Sequence, residues 1–411
     1  MTSKQHWKFV RQLVVAGLVL YLVALAGRAY RTRLDIWLPD YIRWSESRPR
    51  VQDKPIHIFF FFTDHFEPAT NASLVKRWVS DYPKMAARHL DSNGRPVQHT
   101  WFYPVEQPND QYLRDLRKLV VSGYGEVELH LHHRYDNWQS ALAKYERGIA
   151  YLQQFGFSKT IDGQTRFAFI HGNNSLDNSL GPRRCGVNRE LEMLRRLGCF
   201  VDYTFPNTWD WSQPSLVNKI YWAVDDDGPK SYRTGHTLSQ THPFTGDLLM
   251  FTGPVMIRPT FKPNRLFFVI DDADIHPTFP ASRGRVDSWV HAGVHVDGKP
   301  EWVFIKVSAH AAASEESTDN VLGPKFEDAL SYMESRYNDG RNYVLHYVTA
   351  REAYNLAIAA AQNQPGNPEG YYDFVVKPYV ANRTERLPAL QASVASAQAP
   401  RPPHRDPRKL P

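Results

Sequence analysis

The chain has 411 residues, 42% of them hydrophobic, enough to bury one large α/β domain or two smaller ones, and one large domain with tails is the simpler organisation. Its net charge of +6 sits at the two ends: six basic residues from Lys4 to Arg33 meet no acid, and six more from Arg383 onward meet only Glu385 and Asp406, so the part between is slightly acidic. That placement argues against nucleic acid as a partner, and Cys185 and Cys199, with no second pair nearby, indicate neither a disulfide scaffold nor a zinc ribbon and leave their redox state open.

Residues 13–27, LVVAGLVLYLVALAG, are apolar and uncharged behind Lys4, Lys8 and Arg11, the layout of an export signal. The run is shorter than the ~20 residues that span a bilayer comfortably. Ala24-Leu25-Ala26 offers a cleavage site, whereas Arg28, Arg31 and Arg33 oppose translocation. Residues 1–33 are therefore a signal peptide or, by preference, an uncleaved single-pass membrane anchor. The expected location is membrane-anchored or exported, at a bacterial inner membrane or in the periplasm, with a cytoplasmic-facing domain left open.

A linker is predicted over 34–55. The run IHIFFFF at 56–62 is too short for a helix and rich in β-formers, and reads as a strand. Similar runs (VELHLHH, RFAFIHG, CFVDYTF, RLFFVID, EWVFIKVSAH and NYVLHYVT) alternate with helical patterns at 113–121, 138–155, 188–197, 325–337 and 350–362. Such alternation implies parallel strands with helices outside, in a barrel or a doubly wound sheet over 56–362. Residues 220–263, dense in Gly, Pro and Thr, read as an irregular insertion with room for hairpins. Residues 363–411 are expected to be an extended, disordered tail, rich in Ala, Pro and Arg after Asn382.

Polar residues at the C-terminal ends of strands carry the chemistry of such folds. The first strand ends in Asp64, His65 and Glu67, which could ligate a divalent metal or supply a base; alternatively Asp64 caps a turn and Glu67 is solvated. In VELHLHHRYDN, 127–137, period-two alternation puts Glu128, His130 and His132 on one face and Leu129 and Leu131 on the other. If the leucines pack under helices, the polar trio points inward, as a ligand set or as core histidines bonded to Glu128. His133 falls on the other face or in the loop. FAFIHGNNSLDNS, 167–179, runs into His171, Asn173, Asp177 and Asn178, suited to hydrogen-bonding a sugar or equally to a turn with an Asp cap. His310 ends a later strand.

With these residues laid out, the chain over roughly 56–356 resembles the polysaccharide deacetylase family of carbohydrate esterases, and more closely a divergent bacterial branch of that superfamily. The resemblance implies a distorted (β/α) barrel and a divalent metal, zinc by preference, held by one Asp and two His. Phe62-Thr63-Asp64-His65 is similar to the family's Thr-Phe-Asp-Asp, which puts Asp64 at the catalytic base and His65 at a ligand position. Glu128, His132 and Asp136 match the spacing of the second motif, with Asp136 in place of a ligand histidine. The implied metal set is thus His65, His132 and Asp136, with His130 an additional inward imidazole. His171-Gly172-Asn173 stands where the family has an Arg-Pro-Pro-like loop. Val307-Ser308-Ala309-His310 resembles the late Leu-x-His motif, making His310 the general acid.

The activity so implied is metal-dependent removal of acetyl groups from a polysaccharide or glycan, with His130, His171, Asn173, Asp177 and Asn178 as substrate contacts. The departures from the motifs keep two other readings open. One is a barrel glycoside hydrolase pairing Asp64 or Glu128 with Asp271, Asp272 or Asp274. The other is a non-catalytic, membrane-tethered carbohydrate-binding protein.

Overall fold

A computed structural model describes residues 3–49, 51, 54–260 and 268–381. Of the extended, disordered tail expected over 363–411, residues 382–411 lie outside the described residues, as do Arg265 to Phe267 of the RLFFVID run, but 363–381 pack on the domain, with Val376 and Tyr379 buried and the Tyr379 hydroxyl bonded to Glu128 at 2.7 Å. The helices are α1 (Ser3–Arg31), α2 (Leu34–Ser47), α3 (Ala72–Ala86), α4 (Asp110–Val121), α5 (Trp138–Gln153), α6 (Glu190–Leu197), α7 (Arg283–Ala292), α8 (Glu315–Leu322), α9 (Pro324–Arg336) and α10 (Ala350–Ala361). The strands are β1 (Ile56–His65), β2 (His99–Pro104), β3 (Gly125–Leu131), β4 (Phe167–His171), β5 (Cys199–Asp202), β6 (Ile220–Ala223), β7 (Gly235–Thr237), β8 (Leu248–Phe251), β9 (Met256–Pro259), β10 (Phe268–Asp271), β11 (Asp274–Ile275), β12 (Trp302–Ala309) and β13 (Tyr343–Tyr347). Side-chain caps set several helix starts: Asn71, Asn109, Asn137 and Thr349 each accept a backbone N–H from the first turn.

One sheet runs in the order β11-β12-β1-β2-β3-β4-β5-β8-β6-β7, with β13 also paired to β1. It curls as a half-barrel, and among the described residues β11 and β7 do not pair with each other. The strands from β11 to β8 are parallel, as the β-then-α alternation predicts, and β6 and β7 are antiparallel. The stretch expected to be an irregular insertion therefore supplies β6, β7 and β8 to the main sheet. The end of RLFFVID forms a separate hairpin, β10 against β9.

Alternation along the strands divides the apolar residues into two cores. Phe60 and Phe62 of β1, Trp101 and Tyr103 of β2, and Val127, Leu129 and Leu131 of β3 pack outward against helices, α3 among them. Phe59, Phe61, Phe102, Ala168, Ile170 and Phe304 pack inside the curl with α10. Every residue of α10 is buried, so it is an interior plug, unlike the outer helices the pattern predicted. The expected linker likewise contains a docked helix. Trp37 of α2 is fully buried, and Asp40 accepts the Val217 N–H at 3.0 Å and meets Lys219 at 3.2 Å. By contrast α1, long and apolar enough to cross a membrane, buries none of its apolar span.

The plug is held by charge. Arg351 of α10 is fully buried, 3.0 Å from Glu126 on the inner face of β3 and 2.8 Å from Asp373, and it donates to the Tyr372 and Val376 carbonyls. Removing one member of a buried pair leaves the other charge unpaired, which costs about 3–5 kcal/mol. Arg351→Met is expected to lose that much in urea unfolding of the detergent-solubilised chain followed by tryptophan fluorescence. A loss under ~1 kcal/mol would show that the pair is not what seats α10.

Candidate metal centre and cavity

The same alternation decides which polar side chains meet. On β1 the odd-numbered residues face the interior, so His65 points in and Asp64 points out. On β3 the even-numbered residues do, which sends His130 inward with His132 next in phase. On β12, Lys306, Ser308 and His310 share the inner face. The imidazoles converge: ring centroids are 4.8 Å apart for His65 and His130 and 4.7 Å for His130 and His132, and His310 stacks on His65 at 4.3 Å.

Glu67, just past the end of β1, is the hub. Its Oε1 lies 2.8 Å from His130 Nε2, 3.5 Å from His132 Nε2 and 3.9 Å from His65 Nδ1. His130 Nδ1 is 3.0 Å from the Ile170 carbonyl, which can only accept, so Nδ1 carries the proton. The other ring nitrogen, Nε2, then faces a carboxylate oxygen. Their contact at 2.8 Å requires a proton or a cation between them. His132 repeats the pattern, with Nδ1 2.6 Å from Glu106 Oε1 and Nε2 turned to Glu67. One imidazole nitrogen fixed by a carbonyl or carboxylate, and the other aimed at a shared point, is how metal-ligating histidines are oriented.

His65, Glu67 and His130 bring their donor atoms within 4.8 Å of one another and could hold a metal ion. The buried His65 Nδ1 has no hydrogen-bond partner among the described residues. Burial and the adjacent His310, His130 and His132 push the His65 imidazole well below its ordinary value, leaving it neutral as a ligand must be. Burial alone would raise the Glu67 carboxyl, but the His130 hydrogen bond and the nearby imidazoles outweigh it and hold the group below its usual range. Gly172 gives His132 its place: a Cβ there would sit 2.4 Å from the ring's Cγ.

His65 and His310 also border a cavity of about 370 Å³ lined by Lys306, Asp272, Asp274 and Trp209 among others. Lys306 donates to the Tyr203 and Phe205 carbonyls. Burial brings its ammonium down to about 7, against the pull of Asp202, Asp272 and Asp274. Asp272 accepts from Thr208 at 2.8 Å, and burial with Asp274 alongside raises its carboxyl. Burial raises Asp274 too, although His310 and Arg285 oppose the shift. Asp271 is spent structurally, clamped by Arg285 at 2.8 and 3.0 Å and by the Trp289 indole.

Several residues expected at the site stand elsewhere. Asp64 faces the outer layer, where its carboxylate meets His99 Nε2 at 3.1 Å and accepts the Ala311 N–H at 2.9 Å, so strand phase removes it from the histidines. Asp136 is drawn into a second network, 2.6 Å from Lys144 and 3.2 Å from His133, and does not join His65 and His132. His171 is on the outer face of β4, fully buried. Asn173 donates to the His133 and Arg184 carbonyls, Asp177 accepts from Ser231 and the Glu190 N–H, and Asn178 donates to Asn188. These bonds tie loops together instead of facing the cavity. Glu128 is fully buried and bonded to Tyr379 and the Ala168 N–H, not to either histidine. Asp64 and Glu128 are thus unavailable as partners for the Asp272 and Asp274 carboxylates.

The second network brings His133, His171, Cys185 and Glu190 within 4.8 Å, a metal-like donor set by distance alone. Its hydrogen bonds say otherwise. His133 places Nε2 2.7 Å from Glu190 and Nδ1 3.2 Å from Asp136, so both nitrogens donate and no lone pair remains. His171 Nδ1 accepts the Asn173 and Ser175 N–H groups, which puts its proton on Nε2. The buried Cys185 thiol is pushed far up, chiefly by burial and then by Glu190, and stays protonated. This is an ion-pair lock between β3, α5 and α6.

No family model matches this chain, and no curated protein matches it. The sequence reading named Glu67 as a possible ligand but left it out of the ligand set, and it passed over Glu106 and Lys306. Glu67 and His65 share a strand phase, Glu106 follows the end of β2, and Lys306, Ser308 and His310 alternate on one face; each signal was present.

The lock has a pH signature. Burial lowers His133, but Glu190 and Asp136 outweigh it and raise the imidazole above 6.5; burial raises Glu190, but His133 and His171 bring it down to about 2. The Glu190 contribution is present above 4.5 and lost as pH falls toward about 2, and the His133 contribution is present below 6.5 and lost as pH climbs through its raised folded value. Thermal unfolding from pH 5 to 9 should show the wild-type Tm falling on the alkaline side, with a flatter profile in His133→Gln. Parallel profiles would remove His133 from the lock.

Proposed function

We propose that the protein is a metal-dependent hydrolase that removes acetyl groups from a carbohydrate, on a half-barrel that is a distorted relative of the polysaccharide deacetylase (β/α) barrel. The observation that carries this reading is the contact of His130 Nε2 with Glu67 Oε1 at 2.8 Å while His130 Nδ1 is held by a carbonyl. The ligand set becomes His65, Glu67 and His130, with His132 beside them, and three imidazoles with one carboxylate suit zinc. A divalent ion there would polarise an acyl carbonyl and make bound water acidic.

The chain's own groups supply the rest. His310, exposed at the cavity and stacked on His65, is placed to protonate the departing amine or alcohol. Asp274, within hydrogen-bond reach of Ser308 at 3.4 Å and close enough to feel the His310 charge, replaces Asp64 as the candidate base. Lys306 adds a buried amine whose charge opposes that of Asp272 and Asp274. Trp209, half exposed on the cavity rim, offers a face for a sugar ring.

Purified full-length chain should carry about one zinc per molecule by elemental analysis and release acetate from N-acetylated oligosaccharides. His130→Ala and Glu67→Gln should each lose the metal and reduce acetate release on the order of 100-fold or more, and Gly172→Ala, which crowds His132, should weaken metal affinity roughly 10–100-fold. Cys185→Ser should keep its zinc. Metal that follows Cys185 and ignores His130 would assign the ion to the wrong cluster and overturn the mechanism.

A further inference from the structure

The cavity is tied to the apolar helix. Arg28, in the last turn of α1, lines it together with Trp209, and Arg28 is fixed there by a 2.9 Å bond to the Phe268 carbonyl and by stacking 4.6 Å over the Phe268 ring. The next residues repeat the attachment. Arg33 lies 3.8 Å over the ring of Trp211 and 4.5 Å over Tyr30, and Tyr30 meets Trp211 edge-on at 5.9 Å. The joint below is braced, since Thr32 donates to the Arg28 carbonyl and the buried Trp37 indole donates to the Thr32 carbonyl. Helix α1 thus leaves the domain beside the cavity in a set geometry.

A helix of 29 residues is about 43 Å long, more than the ~30 Å of a bilayer's hydrocarbon core. Inserted by its apolar span, it brings Arg28, Tyr30, Arg31 and Arg33 to the interface, where aromatic and basic side chains are favoured. Trp209 and Trp211, each about half exposed, join them from the loop after β5. The cavity then sits at the lipid surface, where a substrate that must arrive as a long soluble polymer is obstructed, and a headgroup rising from the same leaflet is not.

Resting on the deacetylase reading above, we infer that the substrate is an acylated sugar carried on a membrane lipid through phosphate. Arg28 supplies the phosphate contact, because a guanidinium presents paired N–H donors to phosphate oxygens. The sugar extends past Trp209 to His65 and His310, and the hydrocarbon remains in the bilayer beside α1.

The test uses the full chain in proteoliposomes doped with a tritiated N-acetylglucosaminyl-diphospho-polyprenol, with photoreactive benzoylphenylalanine at position 209. A second version carries it at position 161, exposed in the loop that precedes β4, at the opposite ends of the strands. Irradiation should label the chain from position 209 at least tenfold more than from 161, and Arg28→Gln in the 209 background should cut that labelling at least fivefold. Equal labelling from both positions, or labelling unaffected by Arg28→Gln, overturns the inference. Acetate release is measured in the same vesicles. Selective labelling without acetate release supports the lipid-borne ligand and sinks the deacetylase reading, whereas acetate released equally well from a soluble N-acetylated oligosaccharide and from the lipid overturns the lipid inference alone.

Discussion

The interior of the curled sheet is closed by a helix whose every residue is buried, and the Arg351 to Glu126 contact is what allows that helix to lie there. An open half-barrel with a polar inner face would otherwise fill with water. With α10 in place, the inner face of the strands divides by depth. Near the plug, Glu126 and Glu128 are committed to Arg351 and Tyr379. One step further along β3, at His130, the polar side chains turn to one another, and the metal-like cluster begins. The position of the candidate site is therefore set by where the plug ends.

Distance alone does not separate the two histidine clusters, since both gather their donors within 4.8 Å. Proton placement does. In the inner cluster one nitrogen each of His130 and His132 is held by a carbonyl or carboxylate, and the other faces the shared Glu67. In the outer cluster His133 donates at both nitrogens to carboxylates and His171 receives backbone N–H groups. In the first arrangement the free-facing nitrogens share one point, and in the second they are spent on separate partners.

Much of this was legible in the sequence where it depended on period two. The inward phase of His130 and His132 against Leu129 and Leu131, the parallel strands and the five helix positions all follow from spacing. What was not legible was the phase of Asp64 against His65. Adjacent residues on a strand cannot both face the interior, and the motif comparison assigned the pair jointly to one site. Asp136 was misplaced for a related reason. It lies beyond the end of β3, where alternation no longer applies, and Lys144 and His133 draw it outward. The docking of α2 depends on Trp37 and Asp40 finding partners around Val217, some 180 residues away, which local pattern does not report.

The same long-range packing bears on chemistry. If α2 were a flexible linker, the apolar helix and the cavity would be independent, and nothing would fix where one lies relative to the other. Because Asp40 and Trp37 seat α2 and Arg28 reaches the cavity lining, the end of α1 becomes part of the site's wall. If α1 spans a bilayer, its interface region covers only about one or two turns, which puts the wall, the exposed tryptophans and the basic cluster at nearly the same depth. On the proposed reading, a ligand that satisfies all three together needs a polar group for the histidines, an anion for the guanidinium and an apolar part that stays behind, which is the constitution of a lipid-borne sugar phosphate.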